Sequence, residues 1–169
     1  MGVPLNELLA GNQHYAEGFT QGELALPPAS KVAAVVCMDA RIDPLPALGL
    51  HLGDAHVIRN AGGRVTDDAL RSLAISERLL GTDAVLVIHH TDCGMLTFSN
   101  EQIREKIHAE LGDTAYQVAE HTDFLPFGDL AQSVRDDVAA VKASPLIPNT
   151  IAVYGLIYDV HTGKLSQVE

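Results

Sequence analysis

Long apolar runs, basic residues and cysteines are all scarce in this sequence of 169 residues. No stretch approaches the ~20 apolar residues of a membrane-spanning helix. The opening MGVPLNELLAGNQHY has no basic start followed by an apolar segment of secretory length. Met1-Gly2 begins like a myristoylation signal, yet Asn6 stands where that signal requires Ser or Thr. A soluble, cytoplasmic protein without a membrane partner is therefore expected. Lys and Arg total 11 against 22 Asp and Glu, a formal charge of −11, which argues against nucleic acid as a partner. Internal repeats, low-complexity tracts and long linkers are absent, so residues 1–169 read as one domain.

Only two cysteines occur, Cys37 and Cys93. A reducing compartment disfavours a structural disulfide between them and favours metal binding or catalysis. The plain alternative is a pair of buried apolar thiols. With 47% apolar residues, a chain of this length buries roughly two thirds of its unfolded surface and folds without a staple. Any metal here is expected to serve function.

Hydrophobic patterning gives an alternation of strands and helices. Pro4 to Tyr15 carries Leu5, Leu8 and Leu9 at helical spacing, and Gly18 to Ser30 reads as an irregular connection. Val32–Val36 and Ala84–Ile88 are short, continuous apolar runs, as in strands buried on both faces of a parallel sheet, and Ala55–Ile58 is a weaker strand. Thr66 as N-cap, a stripe through Leu70, Leu73 and Leu80, and Gly81 as stop define a helix. Ser99 and Gln102 form a capping box before a helix ending at Gly112, and a further helix runs from Asp129 to Lys142. Thr150–Tyr158 and Leu165–Val168 are strands joined by the turn His161 to Lys164. The expected fold is a single α/β domain, a mostly parallel sheet flanked by helices with an antiparallel edge strand.

Cys37 follows the first of the buried runs, and His89-His90-Thr91-Asp92-Cys93-Gly94 follows the second. Ligands of open α/β sheets bind outside the carboxyl ends of the strands, where strand order reverses. If these two strands are neighbours, Cys37, His90 and Cys93 meet as a Cys₂His set. Three protein ligands with one open position suit a catalytic zinc, whereas structural zinc takes four donors. Asp39 and Arg41 project to one side if their segment stays extended, which makes an ion pair beside the metal or a simple surface pair. His89 is either a proton carrier or a packing residue. Arg59 and Arg64 flank Asn60-Ala61-Gly62-Gly63 and read best as structural ion-pair residues, with a second use in offsetting the acidic surface.

Cys37-x-Asp39-x-Arg41, Arg59-Asn60-Ala61-Gly62 and His90-x-x-Cys93-Gly94 have the order and approximate spacing of the β-class carbonic anhydrases. The chain resembles that family along most of its length. It looks most like the short bacterial branch that includes mycobacterial members and carbonyl sulfide hydrolases. The resemblance implies one Zn²⁺ on Cys37, His90 and Cys93, an adjacent Asp39–Arg41 dyad, and Ala61, Gly62 and Gly94 beside the substrate. Asp39 is implied as a fourth zinc ligand in a closed state. The implied reaction is reversible hydration of CO₂ to bicarbonate by zinc-bound hydroxide, assisted by the dyad. Hydrolysis of carbonyl sulfide or carbon disulfide by the same chemistry is the alternative, and a noncatalytic closed zinc site is a third reading. The resemblance also implies a homodimer or assembly of dimers, with residues 1–30 as the dimerisation arm. Three departures stand out: Ala40 replaces a common Ser, Gly63 stands where many relatives have Asn, and there is no Trp. The last disfavours the bicarbonate-regulated form that uses one.

Overall fold

The structure, a computed structural model, describes residues 2–169. Met1, where the expected arm begins, lies outside them. Five strands form one sheet in the order β2-β1-β3-β4-β5, comprising β1 (Val32–Cys37), β2 (Ala55–Asn60), β3 (Ala84–His90), β4 (Ala152–Tyr158) and β5 (Leu165–Val168). The first four are parallel, and β5 pairs antiparallel with β4 at one edge. This is the expected α/β architecture. Because β2 and β3 lie on opposite sides of β1, strand order reverses between β1 and β3.

Strand periodicity of two sorts the core into two layers. Ala33, Val35, Val85 and Val87 face one way, against Ala69 and Leu73 of α3 (Asp67–Leu80) and Val141 of α6 (Leu130–Ala143). Ala34, Val36 and Ile88 face the other way, toward Ile42 and Met95. That second layer is thinner: Val57, Leu86 and Leu156 on it are only half-buried. The expectation of burial on both faces holds along β1 after Val32 and along β3 except at Ala84 and Leu86.

Helix ends follow the expected chemistry. The Thr66 hydroxyl accepts from Ala69 N–H, and Gly81 closes α3 at φ 75°. Ser99 and Gln102 cap α4 (Asn100–Leu111) reciprocally. Helix α1 spans Leu5–Glu17 and buries none of its residues. Two helices escaped the sequence reading, the short α2 (Pro44–Ala47) and α5 (Asp113–Glu120). The first opens with two prolines in four residues, and the second follows α4 after Gly112, whose φ of 81° turns the chain without a spacer. Strands β1 and β3 also run farther than expected, so that Cys37 and His90 are their last residues rather than loop residues.

Candidate metal centre

Register places the ends of β1 and β3 side by side, with Val36 opposite Ile88, so Cys37 and the segment after Ile88 emerge together at the reversal point. Within β3, His89 and His90 point to opposite faces. His90 is fully buried, and its Nδ1 lies 2.8 Å from the Thr91 carbonyl oxygen. A carbonyl only accepts, so Nδ1 carries a proton, which leaves Nε2 as the nitrogen that presents a lone pair whenever the ring is neutral. That atom is buried and has no hydrogen-bond partner. It faces the two sulfurs: Cys37 Sγ, Cys93 Sγ and a His90 nitrogen all lie within 4.8 Å of one another.

The donor set fits a tetrahedral zinc. Two thiolates at the usual Zn–S length of ~2.3 Å stand ~3.8 Å apart, and the Cys37 and Cys93 sulfurs are separated by 4.0 Å. In the protein alone the two sulfurs hydrogen-bond each other, and the bond moves their pKa values in opposite directions. The Cys93 thiol donates to Cys37 and holds its pKa down against the effect of burial, with His90 and the backbone N–H groups of Asp39 and Gly62 assisting. Cys93 is pushed up by that same bond and by burial. Burial opposes charge on His90, but the Cys37 sulfur and the Thr91 carbonyl outweigh it and raise its pKa. A pocket that concentrates negative charge on sulfur, with an orphaned nitrogen beside it, suits a divalent cation.

Asp39 sits at the rim. Its Oδ1 accepts from the backbone N–H and Nε of Arg41, each at 2.9 Å, and its Oδ2 accepts from Arg41 Nη2 at 2.7 Å. The Asp39 carbonyl also accepts from Ile42 N–H at 3.1 Å. The pair is thus closed within a turn, not by the alternation of an extended segment as expected, because the carboxylate bonds a backbone group two residues on. The Arg41 side chain, then its backbone N–H, hold the Asp39 carboxyl far below the ordinary carboxylate range. Asp39 Oδ2 lies 3.8 Å from His90 Nε2.

Three residues whose roles the sequence left open hold this arrangement. Arg59 donates to the carbonyls of Cys37 at 3.0 and 3.1 Å and of Asp39 at 2.7 Å, fastening the exit of β1. Arg64 binds Asp137 through Nε at 2.8 Å. Asp137 in turn accepts from His89 Nε2 at 3.1 Å, and Ser133 bonds the other ring nitrogen. His89 is fully buried with both nitrogens engaged, so it is a packing residue and no proton carrier. Alternation along β3 carries the signal, since neighbours in a strand face opposite sides. Gly63, at φ 67°, is the third: a Cβ there would stand 2.7 Å from Cys37 N and 2.8 Å from the Ile88 carbonyl oxygen. Its backbone wedges against the ends of both central strands, where no side chain fits.

Beside the sulfurs opens a cavity of about 300 Å³ lined by Met38, Asp39, Ala61, Gly62, Gly94 and Phe98, among others. Its walls are mostly apolar, and Asp39 brings the one charged side chain. Such a space takes a small neutral molecule and presents it to whatever the cluster holds.

The carbonic anhydrase family model matches residues 32–165, which include every residue of this site. The chain is 44% identical to beta-carbonic anhydrase 1 of Mycobacterium tuberculosis, over 96% of each protein. It is 35% identical to a carbon disulfide hydrolase of Saccharolobus solfataricus, over 83% of this chain and 78% of that one. Among solved structures, carbonic anhydrase from Streptococcus mutans superposes with a TM-score of 0.92 at 48% identity, each chain covered completely. With the motifs, the strand order and these matches in agreement, the chain belongs to the β-carbonic anhydrase family.

Proposed function

We propose that this protein catalyses the reversible hydration of CO₂ to bicarbonate, with one Zn²⁺ held by Cys37, His90 and Cys93. The observation that carries this reading is the buried, unpartnered His90 Nε2 facing two sulfurs 4.0 Å apart, with an ionised carboxylate at the rim. Bound zinc supplies Lewis acidity that lowers the pKa of water toward neutrality. Two thiolates and a neutral imidazole cancel the charge of a divalent ion, so water is acidified less than beside three neutral ligands. That leaves work for Asp39. Its carboxylate accepts the O–H of the attacking oxygen and turns that oxygen's lone pair toward the carbon of CO₂. Arg41 keeps Asp39 ionised and holds both its oxygens, which keeps the carboxylate from filling the fourth coordination position. Met38, Ala61, Met95 and Phe98 give the space beside the cluster an apolar lining, which suits neutral CO₂ better than the charged product. Closure of the site by Asp39 into an inert centre would set a metal in competition with Arg41 Nη2 for Asp39 Oδ2, while Oδ1 is held by two further bonds from Arg41.

Hydrolysis of carbon disulfide or carbonyl sulfide is the second reading. The apolar cavity supports it, as does the 35% identity to a carbon disulfide hydrolase. The higher identity to beta-carbonic anhydrase 1, over more of the chain, favours CO₂. Rates with CO₂ and carbonyl sulfide on one zinc-loaded preparation decide between them: CO₂ is expected to give the larger kcat/KM, and the reverse order would transfer the assignment.

The protein is proposed to act in the cytoplasm as a homodimer or assembly of dimers, with residues 1–30 as the arm. Helix α1 exposes Leu5, Leu8 and Leu9 by 57–70%, a stripe that free solution does not favour. The half-buried Val57, Leu86 and Leu156 give the sheet a matching apolar face. No helix among the described residues is long and apolar enough to cross a membrane.

A further inference from the structure

Arg41 does more than hold Asp39. Its guanidinium reaches across to the turn between His90 and Cys93, where Nη1 donates to Asp92 Oδ2 at 2.7 Å and Nη2 donates to the Asp92 carbonyl at 3.0 Å. Counting the bonds to Asp39, all three nitrogens of the fork are engaged, on two loops that leave two different strands. Asp92 has φ 54°, in the left-handed region that Asp tolerates better than most residues, and both its carboxylate and its carbonyl meet the guanidinium. Neither Arg41 nor Asp92 is buried, with side chains 46% and 64% exposed, so this bond adds little to overall stability.

Its importance is geometric. A guanidinium is a rigid plane, and fixing Nη1 fixes the direction in which Nε and Nη2 point. With Asp92 in place, the edge carrying Nε and Nη2 is turned to Asp39. Without that carboxylate Nη1 loses its partner, and beyond Asp39 only the Nη2 bond to the backbone carbonyl of residue 92 still ties the plane to this turn, so the plane tilts more freely toward solvent. Asp92 does not draw donors away from Asp39: Nη1 bonds Asp92 alone, and Nη2 serves each acid with a separate N–H.

We propose that Asp92 is a positioning residue for the reaction: by anchoring the far edge of Arg41, it keeps the Asp39 carboxylate aimed for catalysis and off the metal position. This rests on the function proposed above, but it makes a separate demand on Arg41. Asp92→Gly and Asp92→Asn both accept a positive φ, so the turn is kept, while Asn alone retains an oxygen for Nη1. Two measurements on zinc-loaded protein test the idea. One is hydrogen exchange of the Arg41 Nε–H by nitrogen-resolved NMR. The other is CO₂ hydration by stopped flow, with zinc content determined on each sample.

For Asp92→Gly, Arg41 Nε–H exchange should accelerate and kcat should fall, each about five- to tenfold, with KM changed less than about twofold and zinc unchanged, as loss of a charge-assisted hydrogen bond implies. Asp92→Asn should recover most of both losses. Unchanged exchange and kcat in Asp92→Gly would overturn the proposal, as would a loss of rate that merely follows loss of zinc, or an Asn variant no better than Gly. A wild type inactive toward CO₂ refutes the proposed function instead, and the exchange rates still decide whether Asp92 anchors Arg41.

Discussion

Asp39 Oδ2 stands 3.8 Å from His90 Nε2, near enough to reach an ion on that nitrogen, yet Arg41 binds the same oxygen at 2.7 Å. Whether the centre is open or closed is therefore a contest between a cation and a guanidinium for one carboxylate. Asp39→Asn keeps the shape and removes the charge. Its zinc content should match the wild type, and CO₂ hydration should fall at least about 100-fold, the usual range for a lost acid–base partner. Full activity in Asp39→Asn at equal zinc would remove Asp39 from the mechanism.

Asp39 also fixes how pH should act. Its pKa is held far below the usual range by Arg41, so it is ionised at both pH 6.5 and pH 8.5. Activity that depends on deprotonated water should rise between these values at constant zinc. Stopped-flow rates equal at the two values would contradict this, because the carboxylate contributes no titration there.

The ion pair of Arg64 with Asp137 ties α6 to the loop after β2 across the buried His89. Asp137 is 5% exposed, so Asp137→Ala leaves Arg64 facing a gap and should cost about 3 kcal/mol in denaturant unfolding. Burial raises the Asp137 pKa, but His89 and Arg64 more than reverse this and lower it. A lowered carboxyl pKa stabilises the fold above the unfolded value near ~3.9, and that stabilisation is lost as pH falls through the folded value. The stability gap between wild type and variant should thus be full at neutral pH and shrink in acid below about pH 4. A gap constant down to pH 2 would assign the loss to packing.

Gly63→Ala tests the wedge at the strand ends. A methyl group would meet the backbone of Cys37 and Ile88, and the φ of 67° disfavours any side chain. The change should destabilise the protein by about 2–4 kcal/mol and weaken zinc retention, because Cys37 must shift. Gly62→Ala, also at positive φ, meets only the Met95 and Arg64 side chains, at Cγ and Cδ, and no backbone, and should do less. Equal losses at the two positions in thermal unfolding would show that backbone conformation, and not crowding against Cys37, sets the requirement.

Much of this was legible in the residues. The apolar runs Val32–Val36 and Ala84–Ile88 became the two central strands, and the strand-end rule brought Cys37, His90 and Cys93 together. Capping residues located α3, α4 and α6 within a residue or two. What stayed hidden depended on contacts far apart in sequence. Arg59 grips carbonyls 20 and 22 residues away, and Arg64 finds Asp137 across 73 residues, so neither leaves a local signature. Gly63 looked like a departure in a glycine-rich loop; only the closeness of two strand ends shows what a side chain would collide with in this chain. The opposed faces of His89 and His90 could have been read from strand alternation once β3 was extended by two residues.

The decisive experiment is a zinc titration of metal-free protein followed by stopped-flow CO₂ hydration at fixed pH, with Cys37→Ser, His90→Ala and Cys93→Ser alongside. Hydration should rise in proportion to zinc and saturate at one ion per chain, and each ligand variant should lose at least about 100-fold in metal affinity, no less than the loss of a residue that merely orients a ligand produces. Stoichiometric zinc without acceleration of CO₂ hydration, or a rate indifferent to zinc, would contradict the assignment of this cluster as the catalytic centre.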